Sequence, residues 1–471
     1  MKIGIVGTGP AGISCAYQLV KRNIYVDVYE SASIVGGMAK TIELWDQKVD
    51  LGPHRFFSSD PRINQLWLEV VGNDYEMVDR LTRIYYKKKF FYYPLKPFDA
   101  FLKLGFFEAA RCLFSYVKEK ISPTEQDGTF ENWVVNRFGR RLFEIFFKTY
   151  TEKLWGISCR ELDSDFAAQR IKKLSLYEAI KNAIIGGKNN EHKTLVDQFA
   201  YPIDGTGAVY QRMAKYVQKH NGNVFCSTPV RRVINENNTV VAIETVDGKT
   251  EYYDHVISTM PITQLIKGFS DVPPEILELT ETLRYRNTIL VYLRVDRDNL
   301  FSDNWLYIHS SDLLMGRVTN FKNWVPTICK GQSDTILALE YWCFDNNELW
   351  AMDDEKLISM AGAEVKKTGL LNGAKILDGY ICRISKSYPV YYKGYREQLK
   401  KIEDYLDTID NVTVIGRSGS FKYNNQDHSI LMGILAAENI SDGAKHDLWN
   451  INTDDEYQES SVITKSGLQK K

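Results

Sequence analysis

The stretch from Met1 to Gly37 constrains the fold of this chain more than any other. Residues 2–6 are a short apolar run of the kind that makes a buried parallel strand, and they lead straight into Gly7-Thr-Gly9-Pro10-Ala11-Gly12. Behind the glycines, residues 13–23 repeat apolar positions at helical spacing, and residues 24–30 predict a second strand that ends in an acid. Together these parts form the strand–helix–strand fingerprint of a dinucleotide site. Gly7 permits the tight turn, Gly9 lets the backbone approach a pyrophosphate, and Gly12 lets helix and strand pack closely. Pro10 and Ala11 complete the turn, where the helix N-terminus offers N–H groups and a positive dipole end to phosphate. Glu30 is placed to accept hydrogen bonds from a ribose. A second glycine pair, Gly36-Gly37, gives more room for backbone approach beyond the ribose. By analogy with flavoproteins, it favours FAD over a nicotinamide nucleotide.

With 471 residues, 44% of them hydrophobic and 25% charged, the chain has the size and composition of a globular protein of two or three structural units. Its net charge of −1 provides no overall field for nucleic acid or an anionic surface. No apolar run approaches the roughly 18 residues of a transmembrane helix. Seven cysteines lie scattered, with no C-x-x-C pair and no histidines at metal spacing. That pattern fits buried thiols in a reducing compartment and no metal centre. The first strand begins at once, so the expectation is a cytoplasmic protein without a leader.

Residues 1–79 read as the first part of a dinucleotide-binding domain. Within them, two short strands carry Asp50-Leu-Gly52-Pro-His54 at a turn, where His54 fits either a turn residue or a catalyst. Residues 80–97 alternate aromatic and basic residues around a hairpin, either as a solvated basic face or as a rim that attracts anions. From 98 to 200 the pattern is helical, with a polar loop expected at 186–193. Residues 201–265 return to the dinucleotide sheet through VISTMP, and 266–405 contain several strand-like runs of a mainly antiparallel sheet. VTVIG within 406–441 supplies the last strand of the first sheet, and 442–471 is a polar tail expected to fray. The fold class expected is therefore α/β: a Rossmann-like FAD-binding parallel sheet, a helical insertion and a mainly antiparallel substrate sheet.

The second informative stretch is Gly416-Arg417-Ser-Gly419-Ser-Phe-Lys-Tyr423-Asn-Asn425-Gln426-Asp427-His428. An arginine at a glycine-flanked strand-to-helix turn faces the cleft outside the strand ends, where its planar fork suits a pyrophosphate. With this stretch and the opening fingerprint, the chain resembles the UDP-galactopyranose mutases, most closely the eukaryotic type, within the amine-oxidase-like flavoproteins. Gly52-Pro-His54, Tyr150 to Trp155, Ala167 to Ile171, Val256 to Met260, Trp305 to Tyr307, Arg317 and Tyr388-Pro389 also carry the resemblance, which runs over most of the chain.

The resemblance implies non-covalent FAD that acts, when reduced, as a nucleophile on a nucleotide sugar. It also implies an electron donor, for which NAD(P)H is a candidate. Arg317 and Arg417 would hold the diphosphate, with hydroxyls from Tyr307, Tyr388 and Tyr423. Arg170 and Trp155 belong to the substrate cleft, and His54 stands beside the flavin. Gly416, Arg417, Asn425, Gln426 and Asp427 join the glycine fingerprint in binding the cofactor. Two departures from the family pattern, Pro53 and Thr151-Glu152, bear on which sugar fits, with Glu152 expected near the cleft. The alternative reading is an oxidoreductase of the amine-oxidase or protoporphyrinogen-oxidase kind, in which oxidised FAD accepts a hydride.

Overall fold

A computed structural model describes residues 1–166, 198–452, 461–464 and 467–470. Arg170 and the predicted 186–193 loop lie outside the described residues. The opening strand Lys2–Val6 is the centre of a five-stranded parallel sheet in the order Val412–Val414, His255–Ser258, Lys2–Val6, Tyr25–Tyr29, Gly222–Phe225. Its apolar run follows from this position, because a central parallel strand is covered on both faces; Ile3 and Ile5 are fully buried. VISTMP and VTVIG do return to this sheet, pairing in parallel with the opening strand and with each other.

The helices Pro10–Lys21, Gly207–Lys219 and Gln426–Asp442 share the core on one side of that sheet. The first and last approach so closely that a Cβ at Gly433 would stand 2.5 Å from the Ala11 carbonyl oxygen. Across the other face, Gly4 leaves room for Ile243 of a small antiparallel sheet and for Tyr253 just beyond its last strand.

The second sheet has seven strands, in the order Ile376–Pro389, Tyr285–Val295, Thr335–Cys343, Arg317–Asn320, Trp305–Ile308, Thr82–Tyr86, Lys89–Tyr92. All neighbours are antiparallel except Trp305–Ile308 and Thr82–Tyr86, which run parallel. The hairpin in the aromatic and basic stretch thus forms the edge of this sheet. The helix Asp354–Lys367, which the strand-rich reading passed over, covers the sheet with Leu357, Ala361 and Val365. The helical part contains Pro97–Leu104, Phe106–Ile121, Phe130–Phe138 and Thr149–Trp155, the last preceded by a π-helical turn at Phe143–Lys148.

The first part of the polar tail, as far as Asn452, is bonded to the turn at 422–424. The Lys422 ammonium donates to the carbonyls of Trp449 and Ile451, and Asn452 Nδ2 donates to Tyr423 O at 3.1 Å and Asn424 Oδ1 at 2.9 Å. Trp449 packs against the core beneath that turn. Low apolar content gave no hint of these bonds, which one aromatic ring and one amide suffice to make. Among the described residues no helix is long and apolar enough to cross a membrane.

Candidate active site

A cavity of about 2060 Å³ runs between the two sheets and along the helical part. One end is the glycine fingerprint. Gly7 adopts φ +98°, and a Cβ on it would meet Thr259 Oγ1 at 2.1 Å. A Cβ on Gly12 would stand 2.1 Å from the Gly7 carbonyl oxygen, so Gly12 serves helix packing. Gly9 differs. The nearest atom to its Cβ would be Gly37 Cα at 3.9 Å, so the missing side chain leaves space that belongs to the cavity. Glu30 lines this end and is nearly fully buried. Its Oε2 accepts from Thr8 N at 3.0 Å and Thr8 Oγ1 at 2.5 Å, and its Oε1 from Ala32 N at 2.9 Å. It therefore braces the turn as well as facing the cavity.

Further along, Arg417 is held flat. Its Nε donates to Ser387 O at 2.8 Å and its Nη1 to Asn424 O at 3.1 Å, while the guanidinium carbon sits 4.5 Å and 4.4 Å from the ring centres of Tyr388 and Tyr423. Nη2 has no acceptor among the described residues. Both rings and the guanidinium line the cavity, so two carbonyls and two tyrosines position a cation with one donor to spare.

Arg317 starts the strand Arg317–Asn320 and is largely buried. Its Nη1 lies 3.4 Å from Glu340 Oε1, the rings of Tyr307 and Trp342 are each 5.7 Å away, and its Nε has no acceptor among the described residues. Sequence reading missed Glu340. It is the only acid in the apolar strand Thr335–Cys343, a signal that could have marked it. Burial pushes its carboxyl above the usual range, and the Arg317 charge pulls it back.

His54 lies in the same cavity. Its Nε2 is 3.1 Å from Leu51 O, which requires a proton on Nε2 and leaves Nδ1 as an acceptor when the ring is neutral. Burial, assisted by the charges of Arg417 and Arg317, pushes its pKa down to about 4 against the pull of that bond, so the neutral ring is the resting form. Sequence reading also missed Tyr150 and His309, cavity residues whose rings stack at 4.9 Å.

Three sequence-derived roles change. Trp155 is fully buried and is not among the cavity-lining residues described; its ring stacks on Tyr391 at 5.8 Å and meets the edges of Tyr388 and Tyr423. It supports the tyrosines from behind. Gln426 lines the cavity, and its side chain is bonded to protein: Nε2 donates to His54 O at 3.2 Å and Arg55 O at 3.3 Å, while Oε1 accepts from Tyr210 OH at 2.5 Å and Thr206 Oγ1 at 3.3 Å. Glu152 accepts from Cys159 N at 3.2 Å, and Thr151 is the member of that pair that reaches the cavity. The helix turns them to different sides. Tyr307, Asn425 and Asp427 line the cavity as expected, and so does Gly416, whose φ is +85°.

Comparison with known proteins fits this arrangement. The profile of the "Flavin containing amine oxidoreductase" family matches residues 10–369. The chain belongs to that family. Among curated relatives, this amine oxidoreductase-family protein is 20% identical to protoporphyrinogen oxidase of Dictyostelium discoideum over 409 residues, which cover 74% of this chain and 73% of the relative. A Klebsiella pneumoniae protein named "Probable UDP-galactopyranose mutase" is 29% identical over 179 residues, covering 34% and 42%. In fold it is similar to a crystal structure of reduced UDP-galactopyranose mutase, with a TM-score of 0.83 and 22% identity over 94% of each chain.

The cofactor of the family is FAD, and the residues fit it. The cradle at Gly9, the sharp turn at Gly7, the buried Glu30 carboxylate and the N-terminus of the helix Gln426–Asp442 open into one cavity. Gly7, Gly9, Pro10, Ala11, Glu30, Gly37, Gly416, Asn425 and Asp427 would hold it there. The protein is thus an FAD-dependent, amine-oxidase-like enzyme.

Proposed function

We propose that this enzyme interconverts pyranose and furanose forms of a nucleotide sugar. The reading rests on one observation: two buried guanidiniums, Arg317 and Arg417, each keep a nitrogen without an acceptor among the described residues in a cavity that also contains the FAD cradle. Oxidising an amine needs no pair of cations, whereas expelling a nucleoside diphosphate from a sugar develops negative charge that fixed donors stabilise. FAD in its reduced form would supply a nucleophile for the anomeric carbon.

Each residue then has a task that needs no proton transfer. Arg417, held by Ser387 O and Asn424 O beside the stacked rings of Tyr388 and Tyr423, presents Nη2 to a diphosphate oxygen. Arg317 does the same through Nε, with the Glu340 carboxylate beside its Nη1. The hydroxyls of Tyr307, Tyr388 and Tyr423 add neutral donors. Burial keeps the Tyr388 phenol well above its usual pKa, so it stays a donor through the neutral range. Thr151 reaches the cavity without adding charge, and the polar cradle at His54 stays neutral.

One observation favours an oxidoreductase instead. The helical side of the cavity is lined by Phe98, Phe101, Leu104, Phe146 and Phe147, which would accept a large apolar substrate. Reducing the purified enzyme and incubating it with UDP-, GDP- and dTDP-sugars separates the two. The mutase reading expects a furanose product with the flavin still reduced after turnover. In a parallel arm with the oxidised enzyme, stoichiometric flavin reduction by a substrate, with hydrogen peroxide formed in air, would overturn it.

A further inference from the structure

The helices Pro97–Leu104 and Phe106–Ile121 expose their apolar residues to solvent. In the second helix, Phe107, Ala110, Phe114, Val117 and Ile121 recur every three or four positions and form a continuous stripe. Phe107 is 85% exposed, Phe114 74% and Ile121 80%. Phe98, Leu102 and Phe106 extend the patch. The inward side of this helix holds Cys112 and Glu119 instead. An amphipathic helix on a soluble core turns its stripe inward; this one turns it outward.

The charges around the patch are of one sign. Between Arg80 and Ile121 the chain has ten Lys and Arg against three Asp and Glu, a net +7 within a protein of net −1. Lys87, Lys88, Lys89, Lys96, Arg111, Lys118 and Lys120 are exposed. The three acids are all engaged with the protein. Glu119 is buried and accepts from Thr124, Asp99 pairs with Lys103, and Glu108 pairs with Arg141.

We propose that this face docks on an anionic phospholipid bilayer. Exposed Phe and Ile ringed by Lys and Arg is the composition of helices that lie in the membrane interface, where apolar burial and attraction to anionic headgroups act together. A second copy of the chain fits less well, because a two-fold interface would set the same cations against each other. Phe98, Phe101, Phe106 and Leu113 are both exposed and part of the cavity lining, so docking brings the cavity mouth onto the bilayer. The docking does not depend on which reaction the site performs.

Flotation of the full-length holoenzyme with vesicles of phosphatidylcholine, or of phosphatidylcholine with phosphatidylglycerol, tests this. Wild type should float with the anionic vesicles, at least several-fold more than with neutral ones, and less in high salt. The triple variant Phe107→Ser/Phe114→Ser/Ile121→Ser should lose flotation while keeping its FAD. Lys118→Ala/Lys120→Ala, which leaves the apolar stripe intact and guards against misfolding, should weaken binding to anionic vesicles by on the order of tenfold or more. The proposal fails if wild type does not float, or if the serine variant floats as well as wild type. It also fails if wild type is a dimer that ignores vesicles and the serine variant is a monomer, which would make the patch a self-interface.

Discussion

Replacing Arg417 tests the proposed diphosphate site most directly. Three of its features decide the expected size of the effect: two carbonyl bonds that fix the fork, two tyrosine rings packed beside it, and one nitrogen left over. Because the protein holds the guanidinium in place beforehand, little side-chain freedom is lost on binding, and a bond from Nη2 to an anion keeps nearly its full value. A charge-assisted hydrogen bond contributes roughly 1.5–3 kcal/mol. Arg417→Ala should therefore weaken UDP binding by about tenfold to a hundredfold or more. Arg417→Lys keeps the charge but loses the planar fork that bonds Ser387 O and Asn424 O, so it should fall between wild type and alanine. FAD content should stay near wild type, because the glycine cradle lies elsewhere in the cavity. The assay is UDP titration of the holoenzyme, with the flavin absorbance per chain measured alongside. If the alanine variant bound UDP like wild type, or if it lost its flavin, the clamp assignment would be wrong.

Other expectations follow from single contacts. Gly9→Val should abolish FAD binding with little change in the melting temperature of the apoprotein, whereas Gly12→Ala should lower that temperature sharply, because its Cβ would strike the Gly7 carbonyl; calorimetry and flavin content distinguish them. Glu340→Gln removes the carboxylate 3.4 Å from Arg317 and should tighten UDP binding several-fold, read in the same titration. His309 is nearly fully buried, and burial pushes its pKa down to about 3. Its folded pKa lies below the unfolded value of 6.5, so the unfolded chain binds more protons and stability falls as pH drops from 6.5 toward 3. At about pH 4.5 this group should cost about 2–3 kcal/mol, and His309→Phe should flatten that part of the melting curve against pH.

The parts of this molecule legible in the sequence are those where the backbone itself is constrained. The turn admits no side chain at Gly7 or Gly12, and the spacing of Gly7, Gly9 and Gly12 carried the parallel sheet and its cofactor before any contact was known. Arg417 was legible for the same reason, since glycines flank it at a strand-to-helix turn. Glu340 was not, because its importance depends on the register that places it opposite Arg317 across two strands. Gln426 was legible as part of the cleft but not in its task, since its partners His54 and Arg55 are far away in the chain. The misreading of Glu152 was a matter of a helix turn. Thr151 and Glu152 are adjacent in sequence but about 100° apart around the helix axis, and only one of them can face the cavity.

The parallel sheet also has a consequence in time. Its fingerprint is made about four hundred residues before its outer strand Val412–Val414 and the helix Gln426–Asp442. At roughly 5–20 residues per second, about twenty to eighty seconds of synthesis separate Gly9 from Gln426. Throughout that interval the nascent chain has a half-made cradle without Asn425, Asp427 or the Gln426 clamp on the His54 loop. Flavin capture therefore waits for the helix Gln426–Asp442, and a ribosome stalled before residue 412 should hold a chain that binds no FAD.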